Sequence, residues 1–398
     1  MEADDWTVGS SYMTASGQTS VYIPNKLEQG NNNVASGFYS HAQGEQNLAL
    51  GNHSHAEGIF NTSSGIQSHV EGSNNVSFGA MSHAEGVFTF ASGNTSHTEG
   101  QGTLAIGITS HAEGYYTTAS GFGSHTEGGY TRTDILADYA HAEGHYTLAS
   151  QDYAHAEGEY TTASGVGSHA EGYQTRATNG SSHAEGGFTL AQGGASHAEG
   201  YYTTSSGLFS HAEGNKTLAS GQGAHAEGKG TIASDDIAHA EGHYTVASGW
   251  HSHAEGNKTL ANATGAHSGG TFTTASLDYQ TVVGQHNIGD YPNGNDTFVV
   301  GAGLDSSMKA DGLKVRADVI TSIFSTVPSS PVIIRQSFNS VIPSNNHSGL
   351  YFGNNGDNGS HRITSDVGDN SFNIERHNGA SYINIMQINS TSTAVFNT

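Results

Sequence analysis

The side chains best placed for chemistry are a histidine and a glutamate two residues apart, recurring along more than half of this 398-residue chain. The pairs His55–Glu57, His83–Glu85, His111–Glu113, His141–Glu143 and His155–Glu157 set the pattern. His169–Glu171, His197–Glu199, His211–Glu213, His239–Glu241 and His253–Glu255 continue it. Seventeen histidines from His41 to His267 stand in this register, and Gln43 and Gly269 replace the glutamate at its two ends. Imidazoles beside carboxylates can bind a row of transition-metal ions, or they can pair with one another as ions. Electrostatics chooses between these. If the pairs stack, successive glutamates lie about 5 Å apart and repel by about 3 kcal/mol at an effective dielectric of about 20. Protonated histidines alongside would neutralise that column. The ladder is therefore read as structural pairing, with no metal, no cofactor and no catalytic residue assigned. So paired, each histidine would titrate above its free value of about 6.5 and each glutamate below its own, and stability should peak in mildly acidic buffer.

The elements that position this ladder follow from its period. The spacing is 14 residues throughout, except for 16 between His125 and His141. A period this strict means stacked units rather than a globular enzyme. Each 14 splits into two similar sevens, as in Ser110-His111-Ala112-Glu113-Gly114-Tyr115-Tyr116 and Thr117-Thr118-Ala119-Ser120-Gly121-Phe122-Gly123. Each seven reads as a short strand and a tight turn, with glycine placed for positive φ. Glycine density and β-branching exclude helix. Two strands per turn make a parallel β-roll. Alternation puts His111, Glu113, Thr118 and Ser120 on one face and the small Ser110, Ala112, Thr117 and Ala119 on the other. The small face suits close packing, either within the roll or against another chain. The 16-residue spacing, at Thr131 to Tyr139, should bulge one corner outward. Aromatic residues five positions after the histidine, among them Phe60, Tyr116, Tyr130, Tyr146 and Phe272, fall in a turn. They would pack on the adjacent turn or a neighbouring chain, or offer a stripe for glycans.

The paired alternation SxAxGxx resembles the head repeat of trimeric autotransporter adhesins. Its form here, SHAEGxxTxASG, is similar to a variant in bacteriophage tail-fibre and appendage proteins. That resemblance implies a left-handed parallel β-roll packed as a homotrimer. It covers about residues 34–277, and Thr14 to Ile23 fits one more degenerate repeat, with Val21 and Ile23 in the His and Glu slots.

Composition sets the outer limits. With 34% apolar residues and 55 glycines the chain lacks a globular core, so burial is expected between identical chains. There is no cysteine, and a formal charge of −24 disfavours nucleic acid and anionic membrane as partners. Membrane insertion is not expected. The glycines do not follow a phosphate-loop pattern, serines beside histidines lack a distinct third member, and no cleft for paired carboxylates is expected. The organisation read from these signals is an attachment segment at 1–33, the roll at 34–277, a roll-closing neck at 278–320, and a small β-rich C-terminal unit at 321–398. In the last, Asn378-Gly379 signals a two-residue hairpin. The acidic start and the lack of an anchoring motif are read as favouring a virion over a bacterial cell surface. The chain is thus expected to be an all-β trimeric fibre mediating host attachment. A particle protein would bind near the N-terminus, and a host glycan or protein at Tyr351, His361, Arg362, Arg376 and His377. A bacterial adhesin head is the second reading, and a depolymerase confined to 321–398 is the third.

Overall fold

The structure, a computed structural model, describes residues 7–8, 13–14, 20–23, 25–289, 296–316, 322–323, 334–336, 347–352, 361–366, 371–377, 382–388 and 394–396. They contain strands and turns but no helix. The chain divides into two compact units, Met1–Gly214 and Asn215–Thr398, and its parallel β-solenoid counts about 19 turns.

In the first unit each turn of the solenoid has one longer and one shorter strand, for example His111–Tyr115 and Thr118–Ala119. Successive turns pair in parallel with no shift. His97 lies opposite His111, Glu99 opposite Glu113 and Gly100 opposite Gly114, while Leu104 and Ala105 lie opposite Thr118 and Ala119. A strict 14-residue period requires this, because every residue type then meets its own kind on the next rung.

The small face turns inward. Ala112, Ala119 and Thr117 are fully buried and Ser110 nearly so. The roll therefore fills its interior from its own chain, and the small face needs no second chain to cover it. Mostly methyl- and hydroxyl-sized groups fit between the two sheets, with Val70, Asn47, Asn61 and Asn75 the larger exceptions, and the serines are tied locally. Ser110 Oγ donates to the Gly107 carbonyl at 2.7 Å, as Ser54 Oγ does to Gly51.

The two glycines of a rung differ, contrary to the expectation of positive φ at both. Gly114 has φ +103°, and a Cβ there would also lie 2.2 Å from the Gly128 carbonyl oxygen. Gly107 has no such φ; its constraint is contact, since a Cβ would stand 1.9 Å from the Gly121 oxygen. The left-handed turn positions are held by other residues, including Thr109 at φ 58° and Tyr116 at φ 52°. Left-handed backbone costs a non-glycine residue about 1–2 kcal/mol. Each such N–H, however, donates to the preceding rung, Thr109 to Asn94 and Tyr116 to Gln101, both at 2.9 Å.

The long rung behaves as its length requires. Ala137 takes the glycine position, and the two extra residues push out Ile135 and Leu136, 73% and 71% exposed. The N-terminal repeat is corrected. Ser20–Ile23 does not form a parallel rung; it pairs antiparallel with Lys26–Asn31. It is Lys26–Asn31 that stacks on the roll, with Leu27 opposite His41 and Gln29 opposite Gln43. Leu27 stands 14 residues before His41, but without His or Glu the rung is hard to see in the sequence.

In the second unit the rungs continue and then lose their histidines. His267 lies opposite Thr281, and Thr281–Gln285 pairs in parallel with Asp296–Ala302. Val282 and Val299 fill the alanine slots there, fully buried. Asp296–Ala302 then pairs antiparallel with Asp311–Arg316. Antiparallel pairing continues through His347–Phe352, His361–Asp366, Ser371–His377 and Tyr382–Ile388. His377 lies opposite Tyr382, so four residues separate these strands rather than two. Asn378-Gly379 itself falls outside the described residues.

Candidate functional site

The in-register strands force the ladder histidines into a stack. From His41 to His211 successive imidazoles lie parallel, with centroids 4.6–4.9 Å apart and ring planes within 8°. In the second unit His225, His239, His253 and His267 stack alike. The rings and their glutamates are half-buried, with side chains such as His83 and Glu85 34% and 31% exposed. The sequence pattern thus brings the ladder pairs together, but as two columns rather than as ion pairs. The shortest contacts run between rungs, His125 Nε2 to Glu113 Oε1 at 3.2 Å and His267 Nε2 to Glu255 Oε1 at 3.3 Å. Contacts such as His55–Glu57 at 3.7 Å and His155–Glu157 at 4.0 Å are beyond hydrogen-bond reach.

The protonation expected of the histidines is reversed, while Glu71, Glu99, Glu171 and Glu241 shift downward as expected. Burial pushes His55 down to about 4, helped by the neighbouring His41 and His69. Burial and the flanking His125 and His155 take His141 to about 4 as well. His83, His111, His169, His183, His197 and His239 also shift downward, burial first. Stacking like groups face to face disfavours charging any of them. The carboxylates instead relieve one another. A hydrogen bond with Glu71 raises Glu85 to about 7, aided by burial and by Glu99. The same bond lowers Glu71, and a bond with Glu113 lowers Glu99. A proton favoured on Glu85 thus does there the work that had been assigned to charged histidines.

The glutamate column also lines an open groove of about 860 Å³, from Gln43 through Glu57, Glu71, Glu85 and Glu99 to Glu113, with a glycine beside each. The surface is thus not free of clefts, as had been expected. Along the ladder, triples such as His83, Glu85 and His97 hold their ligand atoms within 4.8 Å of one another.

The aromatic turn residues pack on their own neighbours. Tyr130 stacks on Tyr146 at 4.8 Å, Tyr146 on Tyr160 at 5.1 Å and Phe188 on Tyr202 at 4.6 Å. Lys258 Nζ lies 4.9 Å over Phe272. With the ring faces of these stacks turned to each other, their edges are left toward solvent. A second device escaped the sequence reading: Asn52 Oδ1 accepts from Phe38 N–H at 2.9 Å and Asp138 Oδ1 from Phe122 N–H at 2.9 Å, tying one turn to the next. Asn and Asp three residues before the ladder histidine were the available signal.

Of the host-contact candidates, the register sets Tyr351 opposite Arg362, His361 opposite Arg376 and His377 opposite Tyr382. Their side chains are outside the described residues.

With this geometry in place, three stretches of the chain match the YadA head domain repeat: residues 99–124, 156–175 and 212–234. The rungs fit that repeat. Each stretch takes in a ladder histidine or glutamate and the adjoining Thr-x-Ala-Ser or Thr-Ile-Ala-Ser segment. No curated protein matches the chain.

Proposed function

We propose that this chain is an adhesin-type head that attaches its carrier to a foreign surface as a homotrimer, without catalysis. The observation that carries the reading is the YadA head repeat set in an in-register solenoid. YadA-like heads are surface adhesins, and a bacterial cell surface is a carrier that fits. Identical rungs suit spacing and rigidity better than selective contact, so recognition is assigned to residues 321–398, around Tyr351, Arg362 and Arg376. The SHAEGxxTxASG form of the repeat supports a second carrier, a phage tail fibre whose N-terminal segment docks on a particle protein.

The test has three arms. Light scattering on the purified chain should give three times the 41.3 kDa chain mass. Labelled protein should bind host cells saturably, and Tyr351→Ala with Arg362→Ala and Arg376→Ala should weaken binding about tenfold, as loss of interface anchors does. Mass spectrometry of purified virions against washed cells decides the carrier. A monomer that binds no surface would overturn the reading, and release of sugar fragments from host polysaccharide would make the protein an enzyme.

A further inference from the structure

One corner of the first unit sets an asparagine against the backbone nitrogen able to attack it. Asn179 fills a glycine slot of the facing strand and is followed by Gly180. The Gly180 N–H donates to Asn179 Oδ1 at 2.8 Å, so this nitrogen rests against the side-chain amide, one bond from its carbon Cγ. After other asparagines of the unit the next N–H is held by another rung. His53 donates to the Phe38 carbonyl, Thr62 to Asn75 and Thr95 to Ala80. The carbonyl joining Asn179 to Gly180 is held by Ser182, whose Oγ donates to it at 2.6 Å and whose N–H donates at 3.1 Å. Asn179 is exposed to water. Gly180 stands in open space, with only the Val166 oxygen near the place of a Cβ, at 3.8 Å.

We propose that Asn179 is a site of spontaneous deamidation through a cyclic imide, which the fold promotes rather than prevents. The Gly180 nitrogen gives its proton to hydroxide and bonds to Cγ; the Cγ–Nδ2 bond then breaks and ammonia leaves. Water adds to either imide carbonyl and opens the ring to aspartate or isoaspartate, with no oxidant or reductant. Closure is fast only where the reacting atoms are already held together, as the Gly180–Asn179 contact holds them. Both Ser182 donors sit on the oxygen that takes up charge when the Gly180 nitrogen loses its proton, and hydrogen bonds to charged groups are the stronger ones. The aspartate product suits the roll. In the second unit Asp235 fills the same slot, with Oδ1 accepting from Asp236 N–H at 2.9 Å and its carbonyl from Ala238 N–H at 3.2 Å. Isoaspartate does not suit it. The main chain gains a carbon beside strands paired without shift, and the carbonyl that Ser182 holds leaves the main chain as a carboxylate.

The experiment ages the full folded chain in mildly alkaline buffer made with heavy-oxygen water, beside the same chain unfolded in urea. Tandem mass spectrometry then follows the tryptic peptide from Ala177 to Lys216. Asn179 should convert at least as fast folded as unfolded and take up heavy oxygen, while Asn52 and Asn61 convert far more slowly folded. Gly180→Val should slow Asn179 about tenfold or more, because a branched side chain crowds the approach to Cγ. The fold should hold, since Gly180 has no left-handed φ and Val166 stands at the same position one rung earlier. Ser182→Ala, with Ala154 already in the equivalent slot, should slow conversion about threefold, and in the folded chain alone. Slower conversion of Asn179 folded than in urea, or an unchanged folded-chain rate in either variant, overturns the proposal.

Discussion

In the ladder strand a glycine follows every histidine by three residues, from Gly44 to Gly270, whereas the glycine slot of the facing strand also holds Ala137, Gln151, Asn179, Asp235 and Ala263. The two strands look like copies in sequence, yet one tolerates change and the other does not. At Gly114 both the φ of +103° and the nearby Gly128 oxygen reject a side chain; at Gly107 only a backbone contact does, and Ala137 and Ala263 show that other rungs place a Cβ in this slot. The ladder strand also holds the titratable groups, while the facing strand presents Thr, Ala and Ser. The difference teaches where the roll is rigid and where it can respond to its surroundings.

The largest effect expected is collective and belongs to the ladder strand alone. His55, His83, His111, His141, His169, His183, His197 and His239 titrate below their ordinary value, so the unfolded chain takes up protons near pH 6.5 that the folded chain refuses. Their contribution is whole above the ordinary histidine value and is lost as pH falls from there toward about 4. The lowered Glu71, Glu99, Glu171 and Glu241 lose their contribution in acid too. Glu85 runs the other way: raised to about 7, it stabilises most below the ordinary glutamate value and loses its contribution as pH rises through neutrality. With lowered groups the more numerous, the melting temperature should fall as buffer is taken from pH 7 to 4. A maximum in mild acid would restore the ion-pair reading, and a flat curve would mean that the ladder is solvated.

Next comes the glycine contrast itself. Gly114→Ala should cost about 3 kcal/mol or more, since a strained φ and a backbone clash add. Gly107→Ala should cost less, about 2 kcal/mol, the middle of the range for overpacking, because the backbone must shift but no strained φ is added. Denaturant melts of the two variants measure this, and equal losses would dissolve the distinction between the strands.

How much of this was legible depended on repetition. The strict histidine spacing was enough to infer parallel rungs and the bulge around Ile135, while the choice between packing the small face inward and packing it against another chain stayed open. The rung at Leu27 was missed because its slots hold Leu and Gln, and Val21 and Ile23 drew attention to the wrong segment. The protonation of the ladder was misread for a physical reason. Sequence puts a glutamate near each histidine, but it does not show that successive rings stack 4.6–4.9 Å apart in a half-buried column, where burial and like neighbours disfavour charge. Likewise, the alternation of glycine with small residues could not say which glycine was needed for φ and which for space.

Inside the roll, between the two strands, one slot is filled in two ways. Asn61 Nδ2 donates to the carbonyls of Glu57 at 2.6 Å and Gly72 at 2.8 Å, while its Oδ1 accepts from Asn75 N–H at 2.8 Å. In later rungs the same slot holds Thr103, Thr117 and Thr161, whose hydroxyls are buried without a protein partner. Asn61→Thr should therefore cost about 2 kcal/mol, the loss of several net hydrogen bonds with one donor stranded. The reverse change, Thr117→Asn, should raise stability by about 1 kcal/mol. Loss of stability in both directions would mean that each rung is fitted to its neighbours rather than built to a common plan.

The smallest effect lies at the turn that leaves the ladder strand. Tyr130 holds a left-handed φ of 56° and stacks on both Tyr116 and Tyr146. Ring stacking of this kind contributes about 0.5–1.5 kcal/mol, and left-handed backbone costs a non-glycine residue about 1–2 kcal/mol. The two nearly cancel. Tyr130→Ala, which loses the stack and keeps the strain, should cost about 1 kcal/mol. Tyr130→Gly loses the stack but removes the strain, so it should melt within about 0.5 kcal/mol of the unaltered protein. If both variants lose stability equally, backbone strain is not what the rings offset. The aromatic column would then stabilise this edge outright, making the turn as demanding as the ladder strand beside it.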